Sequence, residues 1–212
     1  AATEDGTFEG APVLLSRELL DEKRRDMGPY VFACQMLQNP LADKAQGFKA
    51  EWLRYWQSQQ DHWQGMNRAI FVDPASSKKK GSDYTVMAVV GWNADGSLYL
   101  IYGSRARLNL TERTKRLFDL VRQYKPSCVY YEKYGMQSDI EHIDDVMQRD
   151  SFHFNIQEIG GSTAKVDRIR RLIPWFEQGR FFLPIVSNFV DEEGTVRNFT
   201  PIFVEEEYGS FP

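Results

Sequence analysis

The chain has 212 residues, of which 42% are hydrophobic and 26% charged, and its formal net charge is −4. These values are typical of a globular domain and exclude a disordered or fibrous chain. No apolar run approaches the roughly 20 residues that a membrane helix requires, and the N-terminus lacks the order of a signal peptide. We therefore expect an intracellular protein with no membrane partner.

Residues 1–66 carry helical and irregular patterns. Ser16 can cap a helix that ends at Gly28, because serine accepts amide hydrogens at a first turn and glycine adopts the left-handed closing conformation. A second short helix is predicted from Tyr30 to Leu37. Since no strand pattern occurs here, we interpret residues 1–66 as a helical arm or linker.

From Arg68 the pattern changes to short apolar runs that are separated by turns and helices. The predicted strands are Ala69–Val72, Tyr84–Trp92, Leu98–Tyr102, Ser127–Tyr131 and Phe152–Ile156. Three helices are predicted. The first begins near Thr111, the second contains Ile140, Ile143 and Met147 on one face, and the third runs from Lys165 to Phe176. Three hairpin-connected strands followed by alternating helices and strands predict an α/β fold with a mixed five-stranded sheet flanked by helices.

The segment after Gly179 is again strand-like. Arg180–Leu183 and Val196–Val204 flank an acidic turn that begins at Asp191. This pattern predicts an additional β-hairpin outside the main sheet, near the C-terminus.

Three acids are candidates for a metal site. Asp73 ends the first strand and Glu132 ends the fourth, which should lie beside the first and parallel to it. Both carboxylates would then meet at one end of the sheet, where a divalent cation can offset their repulsion. Asp83, at the start of the second strand, returns to the same end.

Basic residues lie in clusters, so the negative net charge does not exclude a nucleic-acid partner. They occur at Lys78, Lys79 and Lys80, at Arg105 and Arg107, and from Lys165 through Arg168 to Arg171. A loop and a helix that carry such residues can reach phosphates, and no module for reading base edges is recognisable.

Several segments together resemble one protein family. They are YVFACQMLQNPLADKAQGFKAEWLRYW (30–56), FVDPASSKKKGSDYTVMAVVGW (71–92), VYYEKYG (129–135), KVDRIRRLIPWFEQGRFFLP (165–184) and EEEYGSFP (205–212). In this order and spacing they resemble the nuclease domain of the large terminase subunits of tailed phages, together with the segment that follows the ATPase domain. The resemblance implies a ribonuclease H-like nuclease domain at 67–212.

By this resemblance, Asp73 and Glu132 bind two Mg²⁺ or Mn²⁺ ions, and Asp83 matches a further acid that some members need. Lys165 and Arg168 match a basic helix start near the DNA backbone. The implied activity is endonucleolytic cutting of double-stranded DNA concatemers during genome packaging in the host cytoplasm. The implied partners are an ATPase domain, a portal protein and a small terminase subunit.

The sequence departs from the family in two respects. No GxxxxGK[ST] motif occurs, so we expect no ATPase activity in this fragment. The family's third metal-binding aspartate lies on a helix after the Phe-Pro that here is Phe211-Pro212, where this sequence ends. We expect that helix to be missing; the alternative ligands are Asp191 or a carboxylate of Glu205–Glu207.

Other functions stay open at this point. The domain could be a non-catalytic module that docks onto a motor, a portal or DNA, with acids that serve only structure. It could also be another ribonuclease H-like enzyme, such as a junction resolvase or a transposase. An actin-like nucleotide-binding fold is disfavoured, because no glycine-rich second phosphate loop occurs.

Overall fold

The structure, a computed structural model, describes residues 1–38, 47–75, 83–132, 137–160 and 165–211. Its helices are α1 (Arg17–Met27), α2 (Pro29–Gln35), α3 (Gln60–Trp63), α4 (Leu110–Tyr124), α5 (Gln137–Asp150), α6 (Lys165–Arg170), α7 (Ile173–Glu177) and α8 (Phe199–Ile202). Its strands are β1 (Arg54–Trp56), β2 (Asn67–Asp73), β3 (Thr85–Trp92), β4 (Leu98–Ala106), β5 (Cys128–Glu132), β6 (Ile156–Ile159), β7 (Phe181–Pro184), β8 (Asn188–Val190) and β9 (Val196–Asn198).

The main sheet is mixed and has the strand order β1-β7-β4-β3-β2-β5-β6. β2 pairs antiparallel with β3, and β3 with β4, whereas β5 is parallel to both β2 and β6. β8 and β9 form a separate antiparallel hairpin. The predicted α/β class is confirmed, with a mixed sheet, flanking helices and an additional hairpin. The last of the predicted central strands, Phe152–Ile156, lies instead at Ile156–Ile159.

The predicted number of strands in the sheet is wrong, because the described residues place seven strands in it. β1 lies in the segment for which no strand was predicted. Trp56 joins it to the sheet: its indole Nε1 donates to Leu100 O at 3.1 Å, and its carbonyl accepts from Ile185 N at 3.0 Å. The segment predicted as one arm of the outer hairpin, Arg180–Leu183, instead forms β7 in the main sheet.

Two other predicted elements are shorter than expected. The strand predicted over Val196–Val204 ends at Asn198, whose side chain accepts from Thr200 N at 3.2 Å and begins α8. The helix predicted over Lys165–Phe176 is divided into α6 and α7. The division falls just before Pro174, which has no amide hydrogen to continue a helix.

The core of the sheet lies on the face that α4 and α5 cover. Ile70, Val72 and Tyr131 from the strands pack there with apolar residues of both helices. A capping box begins α4, since Asn109 Oδ1 accepts from Glu112 N and Glu112 Oε2 from Asn109 N, each at 2.9 Å. The apolar residues of α4 and α5 thus cover one face of the sheet.

Contacts group the chain into two compact units. One consists of Ala1–Arg54, Thr163–Phe181 and Glu205–Pro212, and the other of Tyr55–Ser162 and Phe182–Val204. In the first unit Leu20, Phe32 and Leu37 form a small core. This grouping does not follow the boundary predicted near residue 66, which stays a prediction. No described helix is long and apolar enough to cross a membrane.

Candidate metal centre

Asp73 and Glu132 end neighbouring parallel strands. The pairing of β2 with β5 runs from Ala69 opposite Cys128 to Val72 opposite Tyr131. The next residues in this register are Asp73 and Glu132, and each is the last residue of its strand. Since paired strands lie about 4.8 Å apart, the two acids occupy adjacent positions at one end of the sheet.

The two acids also lie on one face of the sheet. Side chains alternate between faces along a strand, and Val72 and Tyr131 belong to the packed core. The following residues, Asp73 and Glu132, therefore project from the opposite face. Asp73 is exposed and Glu132 is half-buried. Carboxylates in such a position are accessible to a cation and to a substrate.

An aromatic pair lies next to the acids on this face. Phe71 and Tyr130 each precede an acid by two residues and thus share its face. Their rings stack with centroids 5.1 Å apart, and Phe71 is 39% exposed. The carboxylates therefore adjoin an apolar surface.

Asp83 returns to the same end of the sheet. It lies two residues before β3, in which Val86 pairs with Asp73, and it is exposed. Because Asp83 precedes the strand, strand alternation does not determine the face on which its side chain lies. Its proposed part in the metal centre stays a prediction.

A buried polar network supports the two strand ends from the core face. Arg113 of α4 donates to Asp139 Oδ2 of α5 through Nη2 at 2.6 Å and Nε at 3.1 Å. The same oxygen accepts from Tyr131 Oη at 2.6 Å. Arg113 Nη1 also donates to the carbonyls of Ala75, at 3.0 Å, and Leu108, at 3.1 Å. The network thus contacts the residue before Glu132 and the second residue after Asp73.

All three side chains of this network are buried, with 5% exposure at Arg113 and 2% at Asp139 and Tyr131. Burial, followed by the hydrogen bond to Asp139, raises the pKa of the Tyr131 phenol above its ordinary value. Sequence reasoning missed the network, although a signal was present. Arg113 precedes Leu117 by four residues, and Asp139 precedes Ile143 by four, so both charges lie on apolar helix faces.

The described residues contain no group of three or more histidine, cysteine, aspartate or glutamate side chains that could hold a metal ion. Asp191, an alternative third ligand, closes the turn of the β8–β9 hairpin. Its carboxylate accepts from Thr195 N at 2.8 Å and from Arg197 Nε at 2.9 Å, and these bonds lower its pKa. The alternative glutamates, Glu205–Glu207, lie in a π-helical turn of the first unit, not at a strand end.

The predicted DNA-contacting residues are distributed as follows. Lys165 and Arg168 lie on α6 in the first unit, the former exposed and the latter half-buried. Lys78, Lys79 and Lys80 lie outside the described residues. The contact of these residues with DNA stays a prediction.

The sequence matches no protein-family model and no curated protein. Among solved structures, the chain is similar to the large terminase nuclease from thermophilic phage G20c with bound magnesium, at 14% identity and a TM-score of 0.46, covering 70% of this chain and 83% of that one. It is similar to the fowlpox virus Holliday junction resolvase at 18% identity and a TM-score of 0.35, covering 54% and 78%. Its similarity to T. thermophilus RuvC in complex with a Holliday junction substrate has 11% identity and a TM-score of 0.34, covering 53% and 78%.

Proposed function

We propose that this chain is a metal-dependent endonuclease that cuts double-stranded DNA, in the cleavage of concatemers during phage genome packaging. The proposal rests on one observation. The register of β2 and β5 continues to Asp73 and Glu132, so that two acids from distant parts of the sequence meet at one sheet end and on one face.

The donor set fits a hard divalent cation. Mg²⁺ and Mn²⁺ prefer oxygen ligands, and Mg²⁺ is commonly held by one or two protein carboxylates together with waters and phosphate oxygens. Asp73 and Glu132 would hold such ions, two by the terminase resemblance, and Asp83 is the further candidate acid. Such ions, when bound there, would lower the pKa of a bound water and stabilise the leaving oxygen of the phosphodiester.

The protein's own residues give the centre its position and its access. Asp73 and Glu132 occupy adjacent strand ends, and the exposed position of Asp73 would let a phosphate approach. On the core face, Arg113 donates to the carbonyl of Ala75, and both Arg113 and Tyr131 donate to Asp139. Lys78–Lys80, Lys165 and Arg168 are the proposed contacts to backbone phosphates, and they would neutralise charge without reading bases.

The test compares Asp73→Asn and Glu132→Gln with Asp144→Asn, a control at an exposed position of α5. We expect Mn²⁺ to raise the melting temperature of the wild type and the control, because a ligand that binds only the folded state stabilises it. The two strand-end variants should lose this shift and metal-dependent plasmid nicking, with unchanged circular dichroism. Unchanged nicking by Asp73→Asn would refute the assignment.

The same preparation separates the competing functions. Faster cutting of a four-way junction than of linear duplex would favour a junction resolvase. Absence of Mn²⁺ binding by calorimetry, together with intact DNA binding, would favour a non-catalytic docking module. The terminase-type proposal predicts cutting of linear duplex with little sequence preference.

A further inference from the structure

A row of paired residues crosses the sheet at the end that carries the acids. Val86 of β3 pairs with Asp73 on one side and with Arg105 of β4 on the other. The row therefore contains Arg105, Val86, Asp73 and Glu132 on four adjacent strands. Two strand spacings, about 10 Å, separate the backbones of Arg105 and Asp73.

Arg105 shares the face of the acids. The neighbouring pair, Met87 and Ser104, is buried, and Met87 belongs to the core beneath α4 and α5. Because side chains alternate along both strands, Val86 and Arg105 project from the opposite face, as Asp73 does. The row thus places a cation and two acids along one side of the sheet.

Two guanidinium groups lie over the ring of Tyr84. The Cζ of Arg105 is 4.3 Å from the ring centroid, and the Cζ of Arg107 is 3.9 Å from it. Arg107 Nη1 also donates to Glu192 Oε1 at 2.8 Å. When the face of a guanidinium stacks on an aromatic ring, the orientation of the guanidinium is restricted. Its planar edge of N–H donors then suits a phosphate.

We propose that Arg105, oriented by Tyr84, binds a DNA backbone phosphate close to the scissile bond, since the backbones of Arg105 and Asp73 lie about 10 Å apart. This subsite rests on the proposed nuclease function. Arginine binds phosphate through paired N–H donors, and a cation in this row offsets the repulsion between DNA and the acids. Arg105 is therefore a positioning residue for the substrate strand.

The test measures the binding of a fluorescent duplex by anisotropy in EDTA, over a range of salt concentrations, so that no DNA is cut. Arg105→Gln retains a planar group over Tyr84 but removes the charge. It should reduce the slope of log Kd against log salt by about 0.9, the value of one phosphate contact. Arg105→Lys restores the charge and should restore the slope.

The matched control is Arg149→Gln, because Arg149 lies in the last turn of α5 and its side chain is 71% exposed. An unchanged slope for Arg105→Gln, or an equal loss for Arg149→Gln, would overturn the proposal. So would a slope for Arg105→Lys that equals that of Arg105→Gln, since the loss would then come from packing on Tyr84.

These outcomes are independent of the metal centre. If Asp73→Asn still nicks plasmid while Arg105→Gln loses its phosphate contact, the metal assignment fails and Arg105 stands only as a DNA contact. If Asp73→Asn loses nicking and Arg105→Gln keeps the full slope, the nuclease stands and the subsite is rejected.

Discussion

Replacement of Arg113 by methionine tests whether the buried network supports the metal centre. Methionine fills most of the space of arginine but leaves the Asp139 carboxylate, 2% exposed, without its cation. Removing one partner of a buried ion pair costs about 3–5 kcal/mol. For a chain of this size each kcal/mol lowers the melting temperature by roughly 2–4 °C, so we expect a loss of roughly 6–20 °C.

A double variant separates charge burial from the remaining contacts. Arg113→Met with Asp139→Leu removes both charges, and apolar replacement of a whole buried pair is often neutral. We expect the double variant to be more stable than Arg113→Met alone in urea or thermal unfolding. An Arg113→Met variant that loses less than about 1 kcal/mol, or a double variant that is less stable than the single one, would refute this account.

Metal binding supplies the functional part of the same experiment. The double variant still lacks the donor to Ala75 O and the acceptor for the Tyr131 hydroxyl. Tyr131 directly precedes Glu132, and Ala75 is the second residue after Asp73. Loss of groups that support metal ligands typically costs 10–100-fold in affinity, so Mn²⁺ should bind about 10-fold or more weakly by calorimetry, even where stability is restored. Wild-type Mn²⁺ affinity in a folded double variant would show that the network stabilises the fold only.

Gly103→Ala should destabilise the protein by about 1–3 kcal/mol in urea unfolding, because a Cβ at this position would overlap the Phe199 ring. Adding Phe199→Leu to this variant should recover part of the lost stability. Equal stability of Gly103→Ala and the wild type would contradict this packing. Burial raises the pKa of Tyr124 from the ordinary value of 10.0 to about 12. Between these two pH values the phenol stays protonated in the folded state but ionises in the unfolded state. The free energy of unfolding should therefore fall as the pH rises from 10.0 towards 12. Thermal unfolding across this pH range measures the loss, and Tyr124→Phe should reduce it; a pH-independent melting temperature would contradict the inference.

Sequence reasoning predicted the central sheet because its strands are apolar runs that end at clear turn signals, such as Asp73-Pro74. It also predicted the convergence of Asp73 and Glu132, since the order of helices and strands requires β5 to lie parallel to β2. It missed β1, where Arg54 and Tyr55 are exposed and no apolar alternation occurs. That strand is held by the distant residues Leu100 and Ile185, which no local pattern reveals.

The partners within the buried network could not be predicted from the sequence, for a related reason. A charge on an apolar helix face indicates that it needs a partner, but several acids could have served Arg113. Only the packing of α4 against α5 brings Asp139 to it, at a separation of 26 residues along the chain. Tertiary contacts, not local preference, therefore select this pair.

The parallel pairing of β2 with β5 limits how the chain can change in length. Deleting one residue within β5 would shift Glu132 to the position that Tyr131 now occupies. Its side chain would then face the apolar core, because successive side chains along a strand point to opposite faces. Deletions in the connection between α4 and β5 leave this frame intact. Insertions and deletions tolerated by a functioning centre should therefore lie between the strands and not within them.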